Sequence, residues 1–306
     1  MSTGKWIRLA ALLAFAAQYA IGALAASTQQ TFATPEDAAS ALVAAVKADD
    51  IKAMRVLLGH AGGTLSSGDP VADRAVASGF VAAYDAKHAI TRDGDVAKLT
   101  IGSDDFPFAF PLVKTGDRWR FDTAAGIAEL NARRIGKNEL STIKVLQAIV
   151  DAQRDYASED RDGDGVLAYA RKIMSSPGKH DGLYWPTKAG EPQSPLGELV
   201  ARASGEGYRS DEKGAPAPFH GYYYRVLKGQ AASAGSPAFD YVVHGRAIGG
   251  FAVIAYPAKY GSSGIMTFMV NQDGKVLQKD LGPDTQAKAN AIQRFDPGKG
   301  WSPASP

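Results

Sequence analysis

Along the first third of the chain, apolar residues recur at helical spacing. Thr34-Pro35-Glu36-Asp37 offers a hydroxyl cap, a proline suited to a first helical turn, and two acids that favour a helix N-terminus. Ala38, Leu42, Val43 and Val46 then share one face. Asp50 opens a second, short helix with Met54, Val56, Leu57 and Leu58 apolar and Gly59 closing it. Asp69-Pro70 repeats the start signal, and Val71, Ala75, Phe80, Val81 and Tyr84 form the expected inner face of a third helix. The period then drops to two. Asp93-Gly94 is a hairpin signal, followed by Val96, Leu99 and Ile101 as a strand. Residues 106–113 and 119–121 give two more strands around Thr115-Gly116-Asp117. Pro107 and Pro111 cannot donate to a ladder, so residues 106–113 are expected at a sheet edge. Three helices followed by an antiparallel meander predict a small α+β domain over residues 30–125.

Residues 124–158 form a long helical stretch without proline, and Gly136 is expected to interrupt it and mark a domain boundary. Leu140, Ile143, Leu146, Ile149 and Val150 make its apolar stripe. Residues 159–192 are loop-rich, and Ser194-Pro195 starts another helix through Leu196, Leu199 and Val200. Strands follow at 222–227, 239–243, 251–256, 266–270 and 276–279, the last pair joined by the turn Asn271-Gln272-Asp273-Gly274. A long helix packed on an antiparallel sheet predicts a second α+β domain over residues 137–282. Residues 283–306, ending in Gly, Pro and Ser, are expected to be partly ordered at best.

Composition narrows the function. The 306 residues include 34 Lys+Arg against 32 Asp+Glu, so no basic excess points to nucleic acid. With no cysteine, disulfides, thiolate metal sites and a cysteine nucleophile are excluded. Residues 1–25 have the pattern of a signal peptide: Lys5 and Arg8, an apolar run over residues 9–23, and the small-x-small site Ala23-Leu24-Ala25. That run is shorter than the roughly 20 residues a spanning helix needs. Cleavage would leave a periplasmic or secreted protein with balanced charge and no membrane attachment.

One segment has a metal-loop spacing. Asp160, Asp162 and Asp164 stand at positions 1, 3 and 5 of a calcium loop, Gly165 at the turn position, and Val166 would offer its carbonyl at position 7. Leu167 takes the place of the usual buried residue at position 8. Ala168 and Arg171 fall where further ligands belong, so Asp181 is a candidate to complete the set. Trp185, Tyr222 and Tyr224 could line a ligand groove, although alternate aromatics on strands also serve as core. No nucleophile elbow, phosphate loop or zinc helix is present. Gly261-Ser262-Ser263-Gly264 suits a flexible turn, and His60, His88, His180, His220 and His244 lack a convincing partner set.

The order of elements in the first domain is similar to cystatin-like and nuclear-transport-factor-like folds. Residues 160–167, Asp181-Gly-Leu-Tyr-Trp-Pro186, Gly221-Tyr-Tyr-Tyr-Arg225 and above all residues 249–282 resemble a bacterial family of exported proteins whose function is unknown. The second half, with its long helix, Asp/Gly loop and strands ending in Phe-Met-Val-Asn-Gln-Asp-Gly, is also similar to the globular head of type IV pilins and type II secretion pseudopilins. Some of those heads hold calcium. The pilin assembly helix has no counterpart here, because Arg133-Arg134 and a folded domain stand in its place. The expectation is a non-catalytic binding or assembly protein of the bacterial envelope, acting on an envelope protein or small ligand. The alternative is a periplasmic hydrolase or ligand-processing enzyme with its site in the second domain, near Trp185 and Tyr222.

Overall fold

The computed structural model describes residues 29–161, 163–188, 190–208, 217–232, 237–298 and 300–304. The expected signal peptide lies outside them. The fold is α+β. Helices α1 (Pro35–Lys47), α2 (Ile51–Leu58) and α3 (Pro70–Ala86) start where the caps predict. Thr34 accepts from the Asp37 N–H, Asp50 from Ala53, and Asp69 from Val71 and Ala72. Strands β1 (His88–Asp93) and β2 (Val96–Ile101) form the hairpin at Gly94, whose φ of 57° suits glycine.

The run 106–113 is two strands rather than one. β3 (Phe106–Pro107) and β4 (Leu112–Thr115) pair with opposite ends of β2. Between them Phe110 turns into the core and Pro111 interrupts the ladder. With β5 (Arg118–Phe121) the order is β1-β2-β4-β5, and β3 pairs with β2 at the edge. α1 and α2 cover this sheet through Leu42, Leu57, Leu58, Ala97, Leu112 and Phe121. In α3 only Tyr84 is fully buried, and Ala75 is exposed, so the predicted inner face is narrower than its spacing implies.

Helix α4 runs unbroken from Thr123 to Ala157, straight through Gly136. An isolated glycine costs a helix interior only about 1 kcal/mol, which packing at both ends readily exceeds. Gly126 lets the first turns approach the Phe110 ring, where a Cβ would lie 2.0 Å from a ring carbon. The later turns bury Ile143, Leu146, Ile149, Val150 and Tyr156, whereas Leu140 is exposed.

After α5 (Gly197–Gly205) the chain forms β6 (Tyr222–Val226), β7 (Gly229–Gln230), β8 (Phe239–Asp240), β9 (Ala252–Pro257), β10 (Met266–Asn271) and β11 (Leu277–Asp280). The predicted strand 239–243 keeps only its first two residues. The tail is folded: α6 (Thr285–Ala291), β12 (Arg294–Phe295) and β13 (Ser302–Pro303) complete the structure. One sheet has the order β13-β11-β10-β9-β6, and a small one has β12-β7-β8. Every residue of β9 is buried because both faces are covered. Val253, Ala255, Phe268 and Val270 pack on α4, while Ala252, Ile254, Tyr256 and Met269 meet Ala289 and Phe295 of the tail. Arg225 lies under α6 and donates to the Ala289 and Ile292 carbonyls at 2.7 Å.

A polar seam ties the halves together at the middle of α4. The Arg134 guanidinium donates to the Leu65 carbonyl at 2.9 Å and to Ser262 Oγ at 3.0 Å. Asn138 donates to the Ser263 carbonyl, and Glu139 accepts from the Ile265 and Met266 N–H groups. Asp69, the α3 cap, uses its second oxygen to accept from the Tyr208 hydroxyl and the Gly221 N–H, both at 2.9 Å. Ser262 and Ser263 are buried in this seam, so the expected flexible turn is a fixed one.

Continuity of α4 makes a prediction. Gly136 is exposed and a Cβ there meets nothing within 4 Å, so Gly136→Ala should raise stability to urea unfolding by about 0.5–1 kcal/mol. Gly126→Ala should lower it by about 1–3 kcal/mol through overpacking against Phe110. A loss of stability from Gly136→Ala would mean the helix breaks there.

Candidate functional site

The C-terminal turns of α4 organise the loop-rich segment that follows. Gln153 is fully buried, and its amide both accepts from the Ala170 N–H at 2.8 Å and donates to the Ala170 carbonyl at 2.9 Å. One turn later the Tyr156 hydroxyl donates to the His180 carbonyl at 2.6 Å. Trp185 fills the space between them. Its ring stacks on His180 at 4.2 Å, meets the Tyr156 edge at 6.5 Å, and lies under the Arg161 guanidinium at 5.9 Å. Gly182 is needed for closeness: a Cβ there would sit 2.7 Å from the Met174–Ser175 backbone.

This framework shapes a polar cleft of about 490 Å³ lined by Arg161, Arg171, Gly178, Lys179, His180 and Asp181. Its charges are unequal in availability. Burial alone would push the Asp181 carboxyl up. Hydrogen bonds from Lys172 and from the Ser176 N–H and hydroxyl outweigh that and bring it down to about 2. Asp181 is therefore an anion already neutralised by Lys172 at 2.8 Å. Arg161 leans on Asp155 and Glu159, while its buried Nε has no acceptor among the described residues. Arg171 and Lys179 form no ion pair among the described residues. A second cleft of about 500 Å³ opens beyond Arg171, which lines both. Its walls include Val226, Leu227, Val242, Ala247 and Phe251.

The sequence-predicted residues fall in different places. Trp185 is buried behind His180 and Arg161 and does not itself line the polar cleft. Tyr222 is wholly buried, donating to the Met266 carbonyl, and burial raises its hydroxyl pKa well above the ordinary value. Tyr224 is packed against α4 and pairs with Thr142. These two tyrosines are thus core residues of the sheet, not neighbours of Trp185 in a groove.

In the Asp/Gly loop, Asp162 lies outside the described residues. Asp160 folds the loop onto itself by accepting from the Gly163, Asp164 and Gly165 N–H groups. Asp164 accepts from the Val166 N–H and from Arg246 Nε at 2.6 Å. The hydrogen bond from Arg246 is the main reason its carboxyl is held below the ordinary value. Leu167, expected to be buried, is 58% exposed. Among the described residues no three His, Cys, Asp or Glu side chains gather as metal ligands, and Asp181 is turned to Lys172 and Ser176. In the described part of the loop Asp160 is thus turned to backbone N–H groups and Asp164 to Arg246.

The histidines also resolve. His88 stacks on Tyr84 at 3.8 Å, and His180 serves as the Trp185 lid. His220 lies 3.5 Å from Glu206 at the seam, with its pKa lowered by burial against the opposing pull of Glu206 and Asp69.

A family model described as protein of unknown function, DUF2950, matches residues 29–304. The chain belongs to the DUF2950 family. No curated protein and no solved structure matches it. For this DUF2950 chain the cleft residues Arg161, Arg171, Lys179 and His180 escaped sequence reasoning as a group. Arg171 stood out there only as a misfit at the last calcium position. The available signal was cations recurring through a loop-rich segment beside Trp185.

The lowered Asp181 pKa sets the sign of a pH effect. Its contribution is present above the unfolded value of about 4 and is lost as pH falls through about 2. Asp181→Asn should cost about 1–3 kcal/mol at neutral pH, mainly by breaking the Lys172 and Ser176 bonds. In denaturant melts the gap between variant and wild type should close between pH 4 and pH 2. A gap that stays constant over that range would contradict the assignment.

Proposed function

We propose that this chain is an exported, non-catalytic binding protein of the bacterial envelope that recognises an anionic small ligand in the polar cleft. The observation that carries the reading is the pairing state of the cleft. Among the described residues Arg171 and Lys179 form no ion pair, the buried Arg161 Nε has no acceptor, and the lining carboxylate of Asp181 is already neutralised by Lys172. Guanidinium and ammonium groups with free donors suit carboxylate or phosphate oxygens. Export is supported by the residue 1–25 pattern and by the lack of cysteine. The helix laid on an antiparallel sheet supports kinship with pilin heads as an envelope scaffold. A hydrolase has less support, because Asp181 is committed to Lys172 and Ser176 and leaves His180 without an acid partner among the described residues.

Calorimetric titration of residues 26–306 with inorganic phosphate tests the reading. Binding should weaken as salt is raised. Arg171→Gln and Lys179→Gln should each weaken it severalfold, and the double variant at least tenfold. Calcium in the same cell should leave binding and melting temperature unchanged, since Arg246 holds the Asp/Gly loop. No phosphate binding by the wild type, or equal binding by the double variant, would contradict the proposal.

A further inference from the structure

The two clefts share a wall, and their chemistries differ. On one side of Arg171 stand Lys179, His180 and Arg161. On the other stand Val226, Leu227, Val242, Ala247 and Phe251, with the exposed Lys228 and Asp240 at the edge. Phe251, Leu227 and Ala247 are buried behind the wall, and the apolar surface open to a ligand is that of Val242, 41% exposed at the rim, and the half-buried Val226. The polar groups at that edge are mostly engaged: Asp240 is paired with Arg294, and the buried Tyr241 hydroxyl faces Gln230. Each cleft lies within the range of roughly 300–1,000 Å³ that holds small organic molecules.

Arg171 is held in place from both sides. Ala170 before it is pinned by the two Gln153 hydrogen bonds, and its own neighbour Lys172 accepts from the Leu183 N–H and donates to Asp181. The Tyr169–Ala247 bridge, with N–H to carbonyl at 3.0 Å, fastens this segment to the apolar cleft's wall. An arginine whose backbone is so fixed, with an anion-accepting cleft on one side and a largely apolar cleft on the other, has the layout of a divider between the head and tail of one molecule.

We infer that the ligand is a monomeric amphiphilic anion, with its carboxylate or phosphate head against Arg171 and Lys179 and a short apolar chain or ring over Val242 and Val226. This rests on the anion-binding reading of the polar cleft and adds the apolar half. The two concave volumes match a single extracted molecule better than a flat bilayer surface.

Calorimetry with three probes separates the possibilities: octyl phosphate below its micelle concentration, inorganic phosphate, and octan-1-ol. Octyl phosphate should bind at least tenfold tighter than inorganic phosphate, a gain that burial of about two methylenes supplies. Octan-1-ol should bind at least tenfold more weakly than octyl phosphate. Val242→Asp, a rim substitution whose folding is checked by its melting curve, should bring the ratio of octyl phosphate to phosphate affinity close to one. If octyl phosphate binds no tighter than phosphate, the amphiphile inference falls and the anion reading stands. If octan-1-ol matches octyl phosphate, the Arg171 anchor falls. If neither phosphate binds, both readings fall. Phosphatidylglycerol vesicles that retain the protein while monomeric octyl phosphate does not bind would replace the single-molecule ligand with a membrane surface.

Discussion

Helix α4 belongs to both cores at once. Its first turns bury Thr123 and Gly126 against the N-terminal sheet, and its later turns bury residues from Asn138 to Tyr156 against the C-terminal one. Neither sheet can rotate against the other without bending this helix or breaking the seam at its middle. There the Arg134 side chain is only 10% exposed. Burial lowers its pKa, and Asp73 at 3.9 Å acts in the opposite direction. A charge so withdrawn from water is tolerated only because Leu65, Ser262 and Asn131 accept its protons. The seam is therefore a matched set, and removing one member would strand the others.

The same helix places the clefts. Gln153 and Tyr156 fasten the loops that follow, and those fastenings fix Ala170, Arg171 and His180 relative to Trp185. The central sheet contributes from its other side. Because β9 is buried on both faces, the tail must cover Ile254, Tyr256 and Met269, and in doing so β12 pairs with β7 and sets the edge where Asp240 meets Arg294. Cleft geometry thus depends on contacts made far from it in sequence, and the loops are held more firmly than their glycine content implies.

Local signals were legible in the sequence. The caps Thr34, Asp50 and Asp69, the turn glycines Gly94, Gly116 and Gly274, and the apolar runs of β6, β9 and β10 all report short-range physics that a single segment expresses. What escaped was long-range. Gly136 carries a local breaking tendency that packing at both ends of α4 overrides. The tail has few apolar residues of its own, and it folds because a sheet face needs cover. Asp69 was readable as a cap, but its second oxygen serves partners 139 and 152 residues away. In the Asp/Gly loop the spacing of the acids was visible, whereas the Arg246 partner of Asp164, 82 residues on, was not. Tyr222 and Tyr224 looked like binding aromatics only while α4 was not yet known to cover them.

The account stands on α4 being one clamped helix through its centre, and amide hydrogen exchange across residues 131–141 measures that directly. Protection should run without a gap through Gly136 and approach that of residues 145–153, because opening these turns requires separating both cores and the Arg134 seam. Fast exchange confined to the turns around Gly136, with protected helix on either side, would show two units joined by a hinge and would contradict the account.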